Sequence, residues 1–187
     1  MLQFHRDDDI IVVVCAAIRS YCLTTADIST SQDQECRTSE EYVHGHRDAF
    51  TVPGTYVAVD AVYISPPKGR VFVDLMNAND DILLRIDAIF EWYGWKNIVV
   101  LNSKKADGDW GEQVETDQFP FPCCGQQIPI AIRVEIDSSF VITANGMDVA
   151  SYPYREGLCP PVDKVIYRFE PSGEHEIAEL KTIAFSY

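Results

Sequence analysis

Basic residues are scarce in this chain, and no apolar stretch is long enough to cross a membrane. Only 15 of the 187 residues are Lys or Arg, against 29 Asp or Glu, which gives a formal charge of −14. Such an acidic surface repels phosphate backbones and acidic lipid headgroups, so we expect no nucleic-acid partner. A helix that spans a bilayer needs about 20 apolar residues, and the apolar run Ile10–Ile18 is far shorter. We therefore also expect no membrane insertion.

Signatures of catalysis and of metal binding are missing as well. The sequence has no G-x-S-x-G nucleophile motif, and its six cysteines form no C-x2-C pair. His44-Gly45-His46 supplies two ligands in a polar segment, which is too few for a metal site. The acidic residues Asp107, Asp109 and Glu112 do not have the spacing of a calcium-binding loop. We expect no enzyme activity, no cofactor and no metal.

Residues 1–48 differ in composition from the rest of the chain. Ile10–Ile18 has the length of the apolar part of a signal peptide, and Thr25-Ala26 could end a cleavage site. The acidic residues Asp7–Asp9 before it have the wrong charge, and a buried strand rich in Ile and Val is the alternative. Residues 19–48 are polar and lack apolar periodicity, which is typical of a tail or linker. An extracellular or secreted protein is our expectation, with a cytoplasmic one as the alternative.

The cysteines do not decide between these compartments. Cleavage after Ala26 would leave Cys36, Cys123, Cys124 and Cys159, an even number with three pairings for two disulfides. In a cytosolic protein all six cysteines would be ordinary thiols.

From residue 49 onward, short runs of β-branched and aromatic residues alternate with turn signals. This pattern, with no good amphipathic helix, predicts an all-β chain folded as an antiparallel β-sandwich. Asn145-Gly146 is a strong hairpin turn because both residues tolerate positive φ. Only Ile177–Lys181 suggests a helical turn. The predicted strands are Tyr56–Ile64, Arg70–Leu75, Ile82–Phe90, Asn97–Leu101, Ile128–Ile136, Phe140–Ala144, Val165–Phe169 and Thr182–Tyr187.

The stretch from Asn102 to Phe121 has an unusual composition. It reads N-S-K-K-A-D-G-D-W-G-E and, after a short gap, F-P-F. This combination resembles the sugar-contact hairpin of the galectins, the β-galactoside-binding lectins. Arg70-Val-Phe-Val-Asp-Leu75 and Asp80–Phe90 resemble earlier strands of the same family, in the right order. The resemblance covers residues 50 to 187, and we assign a galectin-like carbohydrate-recognition domain to residues 49–187.

The resemblance implies a jelly roll, galectin-like and concanavalin A-like, with a glycan groove on one concave face. Asn102 matches an Asn with which the family contacts sugar hydroxyls, and Trp110 matches the Trp on which the sugar ring stacks. The loop between them is one residue longer than in familiar galectins. Hydroxyls need directional donors and acceptors, while the C–H face of a sugar packs on an aromatic ring.

Other contact positions differ from the family pattern. Where galectins have His, Asn and Arg at alternate positions of one strand, this chain has Arg85, Asp87 and Ile89, which alternation should place on one face. Where the family has Glu and then Arg after the Trp, this chain has Gln113 and Glu115. Donors for galactose are depleted, and anionic glycans should be disfavoured. The expected glycan-binding residues are Arg85, Asp87, Asn102, Trp110, Gln113 and Glu115.

We expect a lectin of galectin type with an altered glycan groove. Its ligands would be glycans or glycoconjugates, and a homodimer is compatible with the sequence. The alternative is a galectin-fold module that has lost sugar binding and acts through protein contacts. Arg85, Asp87 and Glu115 could instead form a surface ion-pair cluster, and Asp87 with Glu115 is a weaker candidate for a glycosidase pair. Trp92, Tyr93 and Trp95 are interpreted as a hairpin end packed on the sandwich edge, with an aromatic platform extending the groove as the alternative.

Overall fold

A computed structural model describes residues 6–7, 10–13, 41–45, 55–64, 68–122, 127–171 and 177–186. These residues form strands, turns and loops, and none of them forms a helix that could cross a membrane. The strands are β1 (Arg6–Asp7), β2 (Ile10–Val13), β3 (Glu41–Gly45), β4 (Thr55–Ile64), β5 (Gly69–Met76), β6 (Ile82–Trp92), β7 (Trp95–Lys104), β8 (Val114–Thr116), β9 (Gln127–Ile136), β10 (Ser139–Ala144), β11 (Met147–Pro153), β12 (Lys164–Glu170) and β13 (Ile177–Ser186).

The strands form two antiparallel sheets. One sheet has seven strands in the order β1-β2-β13-β4-β9-β10-β11, and the other has six in the order β3-β12-β5-β6-β7-β8. Every strand pair is antiparallel, and the crossovers between the sheets are those of a jelly-roll sandwich. The predicted all-β antiparallel sandwich is therefore confirmed.

The core lies between the two sheets and follows from the alternation of side chains along each strand. In β6, Leu84, Ile86 and Ala88 are buried and point into the core. The F-P-F motif closes one end, because Phe119 and Phe121 pack around the buried Phe90 with centroid distances of 5.2 and 5.6 Å. Aromatic pairs at such distances add to the burial of apolar area.

Two tight hairpins shape the sheet ends. Asn145 and Gly146 have φ of 48° and 77°, as predicted for the turn between β10 and β11. Tyr93 and Gly94, with φ of 42° and 92°, join β6 to β7 in the same way.

Two predictions from the sequence are wrong in detail. Ile177–Lys181 is not a helical turn, because the whole of β13 pairs with β4 and this pairing overrides the local preference. Glu41–Gly45 lies inside the predicted linker, yet it forms β3 beside β12.

Some of the other predictions concern the N-terminal segment and the cysteines. Ile10–Val13 pairs with β13, as expected if this apolar segment is a buried strand, the alternative to a signal peptide. Cys159 is an exposed free thiol. The other five cysteines lie outside the described residues, and the boundary between 48 and 49 stays a prediction.

Candidate functional site

The outward face of the six-stranded sheet carries the predicted contact residues of β6 and β7. Arg85, Asp87 and Ile89 alternate with core residues, so the three share one face, as predicted. Asn102 of β7 lies opposite Arg85. We call this surface the polar face, and its residues are Arg70, Phe72, Asp74, Arg85, Asp87, Ile89 and Asn102.

Arg85 and Asp74 form a bidentate ion pair on the polar face. Arg85 Nε donates to Asp74 Oδ1 at 2.6 Å, and Nη2 donates to Oδ2 at 2.5 Å. The Asp74 side chain is only 4% exposed. Burial acts to lower the pKa of Arg85, but the hydrogen bonds and charge of Asp74 outweigh it and that pKa is raised. The guanidinium is held in one orientation, and its Nη1 group is left for other partners.

Asp87 and Glu170 share a single cation, Arg70. Arg70 Nη1 lies 3.2 Å from Asp87 Oδ2, while Nε and Nη2 donate to Glu170 Oε2 at 3.0 and 2.8 Å. The buried Asp87 Oδ1 has no hydrogen-bond partner among the described residues. A carboxylate that is buried and only partly neutralised is costly to ionise.

The titration of Asp87 leads to a stability prediction. Burial raises the pKa of Asp87 to about 6, against the charges of Arg70 and Arg85, which lower it. The folded state therefore holds this proton more tightly than the unfolded chain does, and the contribution of Asp87 to stability is lost as pH rises from about 4 to about 6. We expect Asp87→Asn to remove this loss and to stabilise the fold above pH 6 by on the order of 2 kcal/mol.

Urea unfolding of the wild type and Asp87→Asn across this pH range measures the effect. The control is Asp80→Asn, whose side chain is 66% exposed. The free energy of unfolding of Asp87→Asn should exceed that of the wild type by an amount that grows with pH. That of Asp80→Asn should stay close to the wild-type value throughout. A pH-independent difference for Asp87→Asn would show that Asp87 ionises normally.

Phe72 lies at the centre of the polar face and is nevertheless only 2% exposed. The guanidinium carbons of Arg70 and Arg85 lie 4.5 and 4.9 Å from the centroid of its ring. Two cations thus cover an outward-facing phenyl ring, which excludes water from it and adds a cation–π attraction.

Trp110 lies beside Arg85 at one end of the polar face. It forms a β-bridge with Lys104, and 41% of the residue is exposed. The guanidinium carbon of Arg85 lies 4.6 Å from the centroid of the Trp110 ring, and Lys104 Nζ lies 5.8 Å from it. The indole thus keeps exposed surface while part of its ring contacts a cation of the chain itself.

Asn102 supports the hairpin that carries Trp110. Its Nδ2 donates to the carbonyl of Gly111 at 3.1 Å, and its Oδ1 accepts from the backbone N–H of Ser103 at 2.8 Å. Each amide end keeps one further hydrogen-bonding position for a ligand. Asn102 therefore positions Trp110 and can also meet a hydroxyl.

Gln113 and Glu115 lie next to each other on the exposed edge of the sheet. Gln113 Nε2 donates to Glu115 Oε1 at 2.9 Å, and Glu115 lies opposite Val100 on β7. The described residues contain no ion pair between Glu115 and Arg85. The proposed cluster of Arg85, Asp87 and Glu115 is therefore wrong in its pairings, since the two β6 residues pair with β5.

Arg155 holds the base of the Trp110 hairpin from the other side. Its Nη1 donates to Ser103 O and Oγ at 3.1 and 3.2 Å, and Ser103 Oγ lies 3.0 Å from the Tyr152 hydroxyl in the core. Gly111 N–H also donates to Ser103 O at 3.0 Å. The guanidinium fits there because Gly111 has no side chain: a Cβ at Gly111 would lie 1.4 Å from Arg155 Nη1.

Gly111→Ala should therefore displace Arg155 and break its two hydrogen bonds to Ser103. We expect a loss of about 1–3 kcal/mol in the free energy of unfolding, because Ser103 loses two hydrogen bonds from a charged donor. The Ser103 carbonyl keeps the Gly111 N–H and its Oγ keeps the Tyr152 hydroxyl, so neither atom is left unpaired. Thermal unfolding measures the loss. Gly108→Ala in the same hairpin is the matched control, since its Cβ would meet only Lys105, at 3.2 Å from Cβ and 3.8 Å from the carbonyl oxygen. Equal destabilisation by the two variants would contradict the role assigned to Arg155.

Sequence reasoning missed the residues that orient Arg85 and Asp87. Arg70, Asp74 and Glu170 lie on β5 and β12, and their roles follow from cross-strand register. The alternation of Arg70, Phe72 and Asp74 along β5 is the sequence pattern that indicates that these three side chains share one face of the sheet. Within the described ranges, no three His, Cys, Asp or Glu side chains are grouped as a metal site would require.

Comparison with known proteins places the chain in a family. A family model described as galactoside-binding lectin matches residues 46–181. The galactose-binding lectin of Chondrilla caribensis is 31% identical over 109 residues, which are 54% of this chain and 75% of that protein. Galectin b of Aplysina lactuca is 30% identical over 111 residues, covering 52% and 69%.

Solved structures agree with this assignment. A tetrameric galectin from the ball sponge Cinachyrella sp. has a TM-score of 0.71 and 41% identity, covering 79% of this chain and 100% of its own. The homodimeric agglutinin CG-16 from chicken liver, at 22% identity and a TM-score of 0.63, covers 79% of this chain and 100% of its own and supports the fold alone. Since the family model spans well over half of the sequence, the chain belongs to the galectins, the galactoside-binding lectins.

Proposed function

We propose that this galectin binds neutral glycans without catalysis and without a metal, at the end of the polar face that carries Trp110. The observation that supports this proposal is the exposed part of the Trp110 ring beside polar groups of Asn102 and Arg85. An indole can pack on the C–H face of a sugar while neighbouring donors and acceptors meet its hydroxyls.

Each of the other proposed contact residues offers one kind of hydrogen bond. Arg85 Nη1 is a fixed donor, since its Nε and Nη2 are engaged by Asp74. Asp87 offers acceptor oxygens only through the 12% of its side chain that is exposed, because its Oδ1 is buried. Gln113 and Glu115 offer an amide and a carboxylate at the exposed sheet edge. Hydroxyls that complement these groups would be selected, because a sugar lacking them would leave buried polar atoms unpaired.

The charge of the polar face favours neutral sugars over anionic ones. Asp74 and Asp87 balance Arg70 and Arg85 on the polar face, and the neighbouring carboxylates of Glu170 and Glu115 outweigh the ammonium group of Lys104. Sialylated and sulfated glycans would meet like charge. A single shallow sugar site of this kind reaches only about −4 kcal/mol, near millimolar.

A second function is favoured by one specific contact. The Arg85 guanidinium, fixed by Asp74, lies over the Trp110 ring, where a sugar would otherwise stack. A site closed in this way would have lost sugar binding, and the galectin fold would act through protein contacts instead.

A glycan array separates these two functions. We expect the full chain to bind neutral glycans, Trp110→Ala to lose this binding, and Val114→Ala to keep it. Val114 is the matched control because it is apolar, 43% exposed and on the neighbouring β8. If no glycan binds, the protein-contact alternative replaces the lectin function. If binding survives in Trp110→Ala, the chain binds glycan elsewhere and the site at Trp110 is wrong.

We also propose self-association and an extracellular location. Two galectins similar to this chain are described as tetrameric and homodimeric, and light scattering of the purified chain tests for a mass above that of one copy.

For location, the deciding observation is the N-terminal residue of the mature protein. A start after Ala26 would support secretion through a signal peptide, and a start at Met1 or Leu2 would contradict it.

A further inference from the structure

The hairpin between β6 and β7 carries three aromatic side chains outside the core, of which Tyr93 and Trp95 are exposed and Trp92 is partly buried. Tyr93 is 90% exposed, Trp95 is 41% exposed, and Trp92 packs edge-on against Tyr93 with centroids 5.0 Å apart. The hairpin end is therefore not packed on the sandwich edge as the sequence interpretation had it. Exposed aromatic clusters on a folded domain commonly mark binding surfaces.

Tyr93 is also an unfavourable residue type for its backbone conformation. Its φ of 42° lies in the left-handed region, where a two-residue hairpin turn prefers Asn, Asp or Gly. A bulky side chain there is strained, and at 90% exposure it gains no burial in return. Strain that the fold does not need points to a role outside folding.

The hairpin is connected to Trp110 by an unbroken line of rings and guanidinium groups. Arg70 lies 4.8 Å from the Trp92 centroid and 4.5 Å from that of Phe72. Arg85 lies 4.9 Å from the Phe72 centroid and 4.6 Å from that of Trp110. The hairpin and Trp110 are thus the two ends of one continuous surface.

The length and chemistry of this surface define what would cover it. Arg85 and Trp92 are seven residues apart on β6, which is about 23 Å along a strand and longer than a disaccharide. Between the ends lie the partly exposed side chains of Ile98 and Val100 on β7, together with Arg70 and Asp87, which are 26% and 12% exposed. Aromatic ends with polar and apolar surface between them suit a chain of neutral sugar rings.

We propose that Trp92, Tyr93 and Trp95 form a second aromatic subsite, which binds the distal sugars of a neutral oligosaccharide whose first sugars lie at Trp110. This inference rests on the proposed lectin function. It adds to that function a selection for chain length, because only a longer glycan reaches both ends of the surface.

The test compares a short and a long ligand of the same series. The probes are lactose and a linear neutral hexasaccharide that carries lactose at one end, titrated into the chain by calorimetry. The variant is Tyr93→Asn combined with Trp95→Ala. Asn tolerates positive φ, so Tyr93→Asn alone should not lower the thermal midpoint. The matched control is Met147→Ala, an exposed apolar residue beside the Asn145-Gly146 hairpin of the other sheet.

We expect the wild type to bind the hexasaccharide at least tenfold more tightly than lactose, and the double variant to lose that advantage while its lactose affinity is unchanged. Met147→Ala should behave as wild type. If lactose binds but the hexasaccharide binds no better, or if the advantage survives in the double variant, the second subsite is wrong and the lectin function stands. If neither sugar binds, the second subsite as proposed is wrong, and the glycan array decides whether the lectin function fails with it. A lower mass of the double variant in light scattering would assign the hairpin to contact with a second copy instead.

Discussion

Asp74→Ala should lower the free energy of unfolding by about 3–5 kcal/mol, the largest stability change expected of a single substitution on the polar face. Asp74 is the bidentate partner of Arg85, with its side chain only 4% exposed. Its removal leaves the half-buried Arg85 guanidinium, beside Trp110 and Phe72, without its hydrogen-bonded counter-charge, and only the more distant charges of Asp87 and Glu170 remain. In a chain of this size the thermal midpoint should fall by roughly 10 °C.

Asp80→Asn is the control for Asp74→Ala, because Asp80 has a φ of 66°, which Asn tolerates and Ala does not. Asp80 also pairs with a cation from a neighbouring element, Lys164, but its side chain is 66% exposed. Exposed pairs contribute about 0–1 kcal/mol, so this variant should unfold within a few degrees of wild type. Similar midpoints for the two variants would mean that water reaches the Arg85–Asp74 pair and that Arg85 is not fixed by it.

Trp110→Ala should weaken glycan binding by roughly 30-fold, which takes a millimolar ligand out of measurable range. The estimate assumes that the sugar covers the exposed part of the indole, worth about 2 kcal/mol of apolar contact. Trp110→Phe keeps an aromatic face and should retain part of the affinity. Calorimetric titration with a glycan selected on the array measures both.

The same variants distinguish binding from folding. Trp110 is 41% exposed at the sheet end, so its removal should change the thermal midpoint little. A large fall in the midpoint of Trp110→Ala would show that the indole supports Arg85 rather than a ligand. Equal affinities of the Ala and Phe variants would show that stacking does not contribute.

The sequence predicted the central strands well because alternation along each strand is a local pattern. Arg85, Asp87 and Ile89 share a face for this reason, and the turn at Asn145-Gly146 follows from backbone preference alone. The strands β1, β2, β3 and β8 are short, and their backbones find partners only in the folded sheets. Ile177–Lys181 shows the same limit, since pairing with β4 makes it a strand.

The partners within the site depend on strand register and so could not be predicted in this way. Asp74 meets Arg85, and Arg70 meets Asp87, only because β5 lies beside β6 in one particular alignment. The contact of Arg85 with Trp110 brings together residues that are far apart in sequence. The burial of Asp87, and hence its raised pKa, results from the same packing.

The three tryptophans offer the most direct test of the central claim, that sugar is bound at Trp110. Trp92, Trp95 and Trp110 give three indole N–H signals in a proton–nitrogen correlation spectrum, each assigned from its own Trp→Phe variant. On titration with a short neutral glycan selected on the array, the Trp110 signal should shift in a saturable way while the signals of Trp92 and Trp95 stay in place. No shift of the Trp110 signal at saturating sugar, or shifts confined to Trp92 and Trp95, would contradict the claim.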